Sequence, residues 1–158
     1  MKYKKYYNKK LKDGNRYQDF IMEFFYLKGF PILQYSSKDY QYRKGESLSR
    51  VEIKYDMRIQ DTGNLYIEFS EKSNPRNDNY VKSGILRNDN SWFWIQGNYK
   101  YIFLFSKKKL IKIYKSRKRY KNRFRQVKIK TSKGILIKLE DAKELSIIYF
   151  INQGVKGF

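Results

Sequence analysis

Glu52, Lys54, Asp56 and Glu68 are the side chains whose type and spacing could do chemistry. Residues 51–58 alternate strictly, with Val51, Ile53, Tyr55 and Met57 on one side and Glu52, Lys54, Asp56 and Arg58 on the other. Residues 64–70 repeat the pattern, Leu65, Ile67 and Phe69 opposing Tyr66, Glu68 and Ser70. A period of two marks a strand with one buried face. Asp61-Thr62-Gly63 between them reads as a three-residue hairpin loop, with Gly63 free to take a positive φ. In such a ribbon Asp56 lies across from Glu68, Lys54 from Ser70 and Glu52 from Lys72. Directly opposed Cβ atoms sit roughly 4.5–5.5 Å apart, where like charges are destabilising. A Mg²⁺ or Mn²⁺ ion between Asp56 and Glu68 would remove that repulsion, because hard divalent cations prefer carboxylate oxygens and keep waters for a substrate phosphate. Lys54, on the same face, would orient or deprotonate a water, or stabilise charge developing on the phosphate. That is metal-assisted phosphodiester hydrolysis. The same alternation also describes a plain solvated sheet face, and the pattern alone fits both.

Composition narrows the chemistry further. The chain of 158 residues has no Cys and no His. Disulfides, thiolate metal sites, cysteine nucleophiles, imidazole bases and Ser-His-Asp triads are excluded. The glycines form no phosphate-cradling loop, which argues against an NTPase. Aromatics at 18% and apolar residues at 41% are too abundant for a disordered polycation. No apolar run is long enough to span a membrane, and the basic start leads into no apolar signal segment. An intracellular, cytoplasmic protein is expected, with no membrane partner.

The elements that would position these residues can be read in outline. Residues 16–28 follow one helical face through Tyr17, Phe20, Ile21, Phe24 and Phe25, closed by Gly29 and Pro31. Residues 31–36 and 40–44 read as short strands. Residues 73–90 read as loop with a helical turn near 83–87, and 99–105 as a buried strand. Ser106 can cap a helix over 107–115, and 127–130 with 134–139 suggest a hairpin before a short helix at 142–146. The expected fold is α+β, a mixed central sheet with flanking helices, in a single domain over 1–158.

Charge is distributed unevenly. Lys and Arg number 36 against 15 acids, a formal net charge of +21. Residues 1–12 hold six Lys and residues 107–133 hold fourteen Lys and Arg, with no acid in either segment. The rest is nearly neutral, at 16 bases against 15 acids. A neutral body with basic segments fits the footprint of a polyanion-binding protein, and the block 107–133 also fits a solvated face whose aromatics turn into the core. Within 107–133 the expected nucleic-acid contacts are Lys107, Lys108, Lys109, Arg117, Lys118, Arg119, Arg123 and Arg125, since guanidinium forks match phosphate oxygens. The basic run 1–12 reads as a tail and 134–158 as a terminal hairpin and helix.

The ordered series Glu52-Ile53-Lys54-Tyr55-Asp56, Thr62-Gly63-Asn64, Ile67-Glu68 and Ser83-Gly84-Ile85 resembles a subgroup of the PD-(D/E)XK nuclease superfamily found among phage and low-GC bacterial proteins. The resemblance spans residues 16–105. It implies a restriction-endonuclease-like core of αβββαβ order and Mg²⁺-dependent hydrolysis of nucleic acid, most often DNA. The family pattern has an acid on one strand and Glu-X-Lys on the next. Ser70 stands where that Lys would follow Glu68, so either Lys54 takes its place, or Glu52-Ile53-Lys54 is itself the Glu-X-Lys with Asp39 or Glu46 before it. The first arrangement is preferred on the hairpin geometry, with Asp56 and Glu68 as metal ligands. Glu23 would match the helix acid of resolvase-like members. A homodimer would suit a duplex or junction target. The rival readings are a nucleic-acid-binding protein that has kept this fold without cleavage, and a phage or mobile-element interaction protein.

Overall fold

The computed structural model describes residues 2–45 and 47–153. Its elements run α1 (Lys2–Tyr26), α2 (Lys38–Lys44), β1 (Val51–Tyr55), α3 (Ile59–Thr62), β2 (Asn64–Glu71), β3 (Val81–Lys82), a 3-10 turn (Gly84–Leu86), β4 (Phe93–Gly97), β5 (Tyr101–Ser106), α4 (Lys107–Ser116), β6 (Arg125–Ile129), β7 (Ser132–Lys138), α5 (Leu139–Leu145) and β8 (Ile148–Ile151). The fold is α+β. Two four-stranded sheets carry it, in the orders β1-β4-β5-β8 and β3-β2-β7-β6. The first sheet is mixed, because β1 runs parallel to β4 while β5 and β8 add on antiparallel. The second is wholly antiparallel.

Alternation along β1 and β4 splits the interior in two. Val51, Ile53, Ile95 and Ile102 turn to α1, where Tyr17, Ile21 and Phe25 meet them. Trp94, Phe103 and Phe105 turn the other way, onto Leu65, Ile67 and Phe69 of β2, Ile135 and Ile137 of β7, and Leu110 and Ile113 of α4. Glu52 and Lys54 share Trp94's side of the sheet, for Glu52 is directly paired with Trp94 and Lys54 with Gln96. An acid and a lysine two residues apart are thus directed into the seam between the sheets.

The expected ribbon of residues 51–58 against 64–70 does not form. β1 and β2 lie in different sheets, and the intervening loop is a single helical turn that ends on Gly63 in the left-handed region at φ 64°. Residues 40–44 are also not a strand. They belong to α2, which Ser37 caps by accepting from the Tyr40 N–H, and of residues 31–36 only Gln34 makes a bridge, to Ser47. The basic run at the start is no tail, since α1 begins at Lys2. The C-terminal hairpin (β6–β7), the Ser106 cap and α4 stand where expected.

Gly84 locks the 3-10 turn against β2. Its φ is +50°, and a Cβ there would lie 2.1 Å from the Glu68 carbonyl oxygen, a backbone atom that cannot swing aside. Gly84→Ala is therefore expected to cost at least about 1–3 kcal/mol through backbone strain. Thermal unfolding checks this, and an unchanged Tm would show that the turn yields without strain.

Candidate functional site

Asp56 does not face Glu68. Its carboxylate is a structural joint instead. Oδ1 accepts from the Arg58 N–H at 3.2 Å, and Oδ2 accepts from the Tyr66 N–H at 2.9 Å and from Gln96 Nε2 at 3.1 Å. Gln96 Nε2 also donates to the Tyr66 carbonyl at 2.8 Å, while Gln96 Oε1 accepts from the Trp94 indole at 2.8 Å. The carboxylate and the amide together supply Tyr66 with the bonds that a neighbouring strand would otherwise provide. Three of the roughly four acceptor positions of the Asp56 carboxylate are filled this way. The pairing expected from the hairpin is thus replaced, because the chain leaves β1 at Asp56 and crosses to the second sheet.

Glu52 and Lys54 are in contact, and Glu68 lies close enough to feel both of their charges. Lys54 Nζ lies 2.7 Å from Glu52 Oε1. Glu52 is 1% exposed, and its second oxygen, Oε2, is buried with no hydrogen-bond partner. Glu68 is half-buried on the β2 face opposite Leu65 and Ile67, with Oε1 accepting from Ser83 Oγ at 2.7 Å. Burial pushes the Glu68 carboxyl above the usual carboxylate range; the Ser83 bond and the Lys54 charge oppose the rise, and Glu71 and Glu52 add to it. Ser83, on the segment that leads into the 3-10 turn, is a site contact that the sequence pattern places only within its motif.

The other candidates separate from this cluster. Glu23 is exposed on α1. Asp39 is exposed on α2 and pairs with Arg43 at 3.1 Å. Glu46 lies outside the described residues. Among the described residues no three acids group closely enough to hold a metal ion. A magnesium-sized cation needs only one or two carboxylates, with waters filling the remaining positions. Glu52 offers one such carboxylate, because its buried Oε2 has no hydrogen-bond partner.

The basic segment divides into structural and surface cations. Lys107 cannot meet a phosphate: it is buried, 2.6 Å from Asp89 and 3.1 Å from the Arg87 carbonyl. Arg123 is held by Asp141 and Glu144, both at 2.6 Å. Arg117 donates to Gln126 and to the Tyr114 carbonyl, with its guanidinium 3.9 Å from the Tyr114 ring centre. Lys108, Lys109, Lys118, Arg119 and Arg125 are exposed. No family model, no curated protein and no solved structure matches this chain. Among the described residues no helix is long and apolar enough to cross a membrane.

Two outcomes follow from these contacts. Asp56→Ala leaves the Tyr66 N–H without its acceptor and should cost about 1–3 kcal/mol, with Asp56→Asn recovering part of that by keeping one acceptor oxygen. Equal stability of all three proteins would remove the joint. Glu68, with its raised carboxyl, favours the fold most fully below its unfolded pKa and loses that contribution as pH rises through the folded value. In chelator-containing buffer Glu68→Gln should therefore melt higher than the parent at neutral pH, and the gap should close near about pH 4. A gap that widens on acidification would reverse the argument.

Proposed function

We propose that this protein is a metal-dependent nuclease, a hydrolase of nucleic-acid phosphodiester bonds, most readily DNA, with Glu52, Lys54 and Glu68 at its centre. The observation that carries this reading is the buried Glu52 carboxylate, with one oxygen on Lys54 and the other without a partner. Glu52-Ile53-Lys54 then stands as the Glu-X-Lys of the PD-(D/E)XK resemblance, and Glu68 replaces Asp56 as the second acid. Glu52 and Glu68 would hold Mg²⁺ or Mn²⁺, which when bound polarises a phosphoryl oxygen and acidifies a water. Lys54, 40% exposed at its side chain, reaches from the seam toward solvent. There it would donate to a non-bridging phosphate oxygen and orient the attacking water. The exposed cations Lys108, Lys109, Lys118, Arg119 and Arg125 would steer the polyanion by long-range attraction. Action inside the cell, on a duplex or junction and as a homodimer, belongs to the same reading.

A second reading has its own support. Asp56 is committed to the joint and no third carboxylate joins Glu52 and Glu68 among the described residues. A nucleic-acid-binding protein without cleavage would look the same in both respects.

Titrating Mg²⁺ and Mn²⁺ against supercoiled, linear and branched DNA, and against RNA, separates the two. The nuclease reading expects metal-dependent cleavage, reduced at least about 100-fold in Glu52→Gln and Glu68→Gln with binding retained. Metal-indifferent binding with no cleavage by the parent protein would establish the second reading.

A further inference from the structure

Tyr80, in the loop before β3, gathers three ammonium groups. Lys133 Nζ lies 3.9 Å from its ring centre, Lys72 Nζ 5.3 Å and Lys128 Nζ 5.7 Å. Lys128 and Lys133 are directly paired across β6 and β7. Like charges so opposed are destabilising without an anion between them. Lys72 is 9% exposed, and its ammonium donates to the Pro75 carbonyl at 2.7 Å. Among the described residues none of the three lysines has an acidic partner within ion-pair distance. A buried ammonium without a counter-charge is costly to the fold. Tyr80 adds a second unmet requirement, for its hydroxyl is buried and makes no hydrogen bond.

The cluster extends across the whole sheet. Ser70 is paired with Lys82 on one side and Lys133 on the other, so a row Lys82-Ser70-Lys133-Lys128 crosses all four strands. It also adjoins the candidate site. The Tyr66 hydroxyl contacts Ser132 Oγ at 2.8 Å, next to Lys133, and Tyr66 stands two residues from Glu68 on β2. Burial pushes the Tyr66 hydroxyl up to about 12; the Ser132 bond opposes the rise, and Glu68 and Tyr80 both add to it.

We propose that Lys72, Lys128 and Lys133 with the Tyr80 hydroxyl form a phosphate-binding subsite for a nucleic-acid backbone, adjoining the Glu52–Lys54–Glu68 centre. A phosphate there answers each unmet requirement at once. It supplies negative charge between the opposed lysines, a counter-ion for Lys72, and an oxygen to accept from Tyr80 as the flexible lysine stems part. The surplus of cations around it favours a polyanion over an isolated anion. The subsite rests on the proposed action on nucleic acid but not on cleavage.

Fluorescence anisotropy with labelled duplex DNA, single-stranded DNA and RNA, in chelator, tests it. Lys128→Gln/Lys133→Gln is compared with Lys38→Gln/Lys44→Gln, which removes the same charge from exposed positions on α2. Each phosphate that a variant no longer neutralises should lower the slope of log affinity against log salt by about 0.9 on duplex. The first pair shares one phosphate and should therefore lose about 0.9 in slope, so that its deficit against the parent shrinks about 3.5-fold between about 50 and about 200 mM salt. The α2 pair should stay within about threefold of the parent, and Tyr80→Phe should weaken binding about three- to tenfold. Equal losses in both pairs would reduce the cluster to diffuse charge and overturn the subsite, as would unchanged binding by the first pair or no binding by the parent. Cluster-dependent binding without metal-dependent cleavage would support the subsite and remove the hydrolytic reading.

Discussion

A hydrogen-bonded knot joins the two sheets beside the candidate residues on β1 and β2. At Tyr66 the β2 backbone has β7 on one side, through the Tyr66–Leu136 pairing, and the end of the first sheet on the other. An unpaired N–H and C=O in a half-buried setting each cost free energy. Asp56 and Gln96 satisfy both groups with side chains, so the chain crosses from one sheet to the other without a continuous ladder. Trp94 fixes the amide by donating to its oxygen, so the nitrogen must point at Asp56 and Tyr66. An aromatic wedged between the sheets thereby orients the polar joint. With the crossing set in this way, Glu52 and Lys54 on β1 come within electrostatic reach of Glu68 on β2.

This explains which parts of the molecule are legible in its sequence. Alternation correctly assigns residues 64–70 to a strand with one buried face, but of the expected strand 51–58 only residues 51–55 form one, and Glu52 on its supposedly solvated side is buried as well. Alternation carries no information about the neighbour. The partner of β1 is β4, whose first paired residue is Phe93 opposite Val51. A parallel pairing over that separation leaves no local trace. Asp61-Thr62-Gly63 is ambiguous for a related reason: a glycine at positive φ ends a helical turn as readily as it shapes a hairpin loop. For residues 40–44 a local signal does exist. Ser37 followed by Asp39, with Arg43 and Lys44 at the far end, has the polarity of a short capped helix, and Tyr40 and Tyr42 both remain exposed. The α1 stripe and the Ser106 cap are readable since both depend only on neighbours in the chain.

Charge is where sequence alone misleads most. A basic block reads as uniform, yet the fold sorts its members into very different environments. Lys107 opens α4 and is buried against Asp89, a residue from the preceding loop that offers no sequence signal of the pairing. Arg123 pins the segment after α4 to α5 through Asp141 and Glu144. Such buried or bidentate pairs hold elements in register rather than contribute much net stability. The cations left over lie on the second sheet, on the exposed face of α4 and in the turns after it, so the surface proposed to meet a polyanion is narrower than the block itself.

Setting a buried and a half-buried glutamate beside a surface proposed to bind phosphates presents an electrostatic conflict. Carboxylates repel a polyanion, and at Glu68 the protein's own interior already disfavours the charge. In an acidic or neutral protein that combination would exclude a nucleic-acid backbone. Here the net charge of +21 surrounds the acids, and Lys72, Lys128 and Lys133 on the adjoining sheet have no acidic partner among the described residues. A cleft lined by one sign of charge with low-dielectric walls concentrates the field. The strand would therefore be attracted by the surround and meet the acids only at close range. There, Lys54 already offsets Glu52 at 2.7 Å, and a divalent cation would remove the remaining repulsion. On this view the lysine excess would supply the attraction, and a cation held by the acids would correct the field locally.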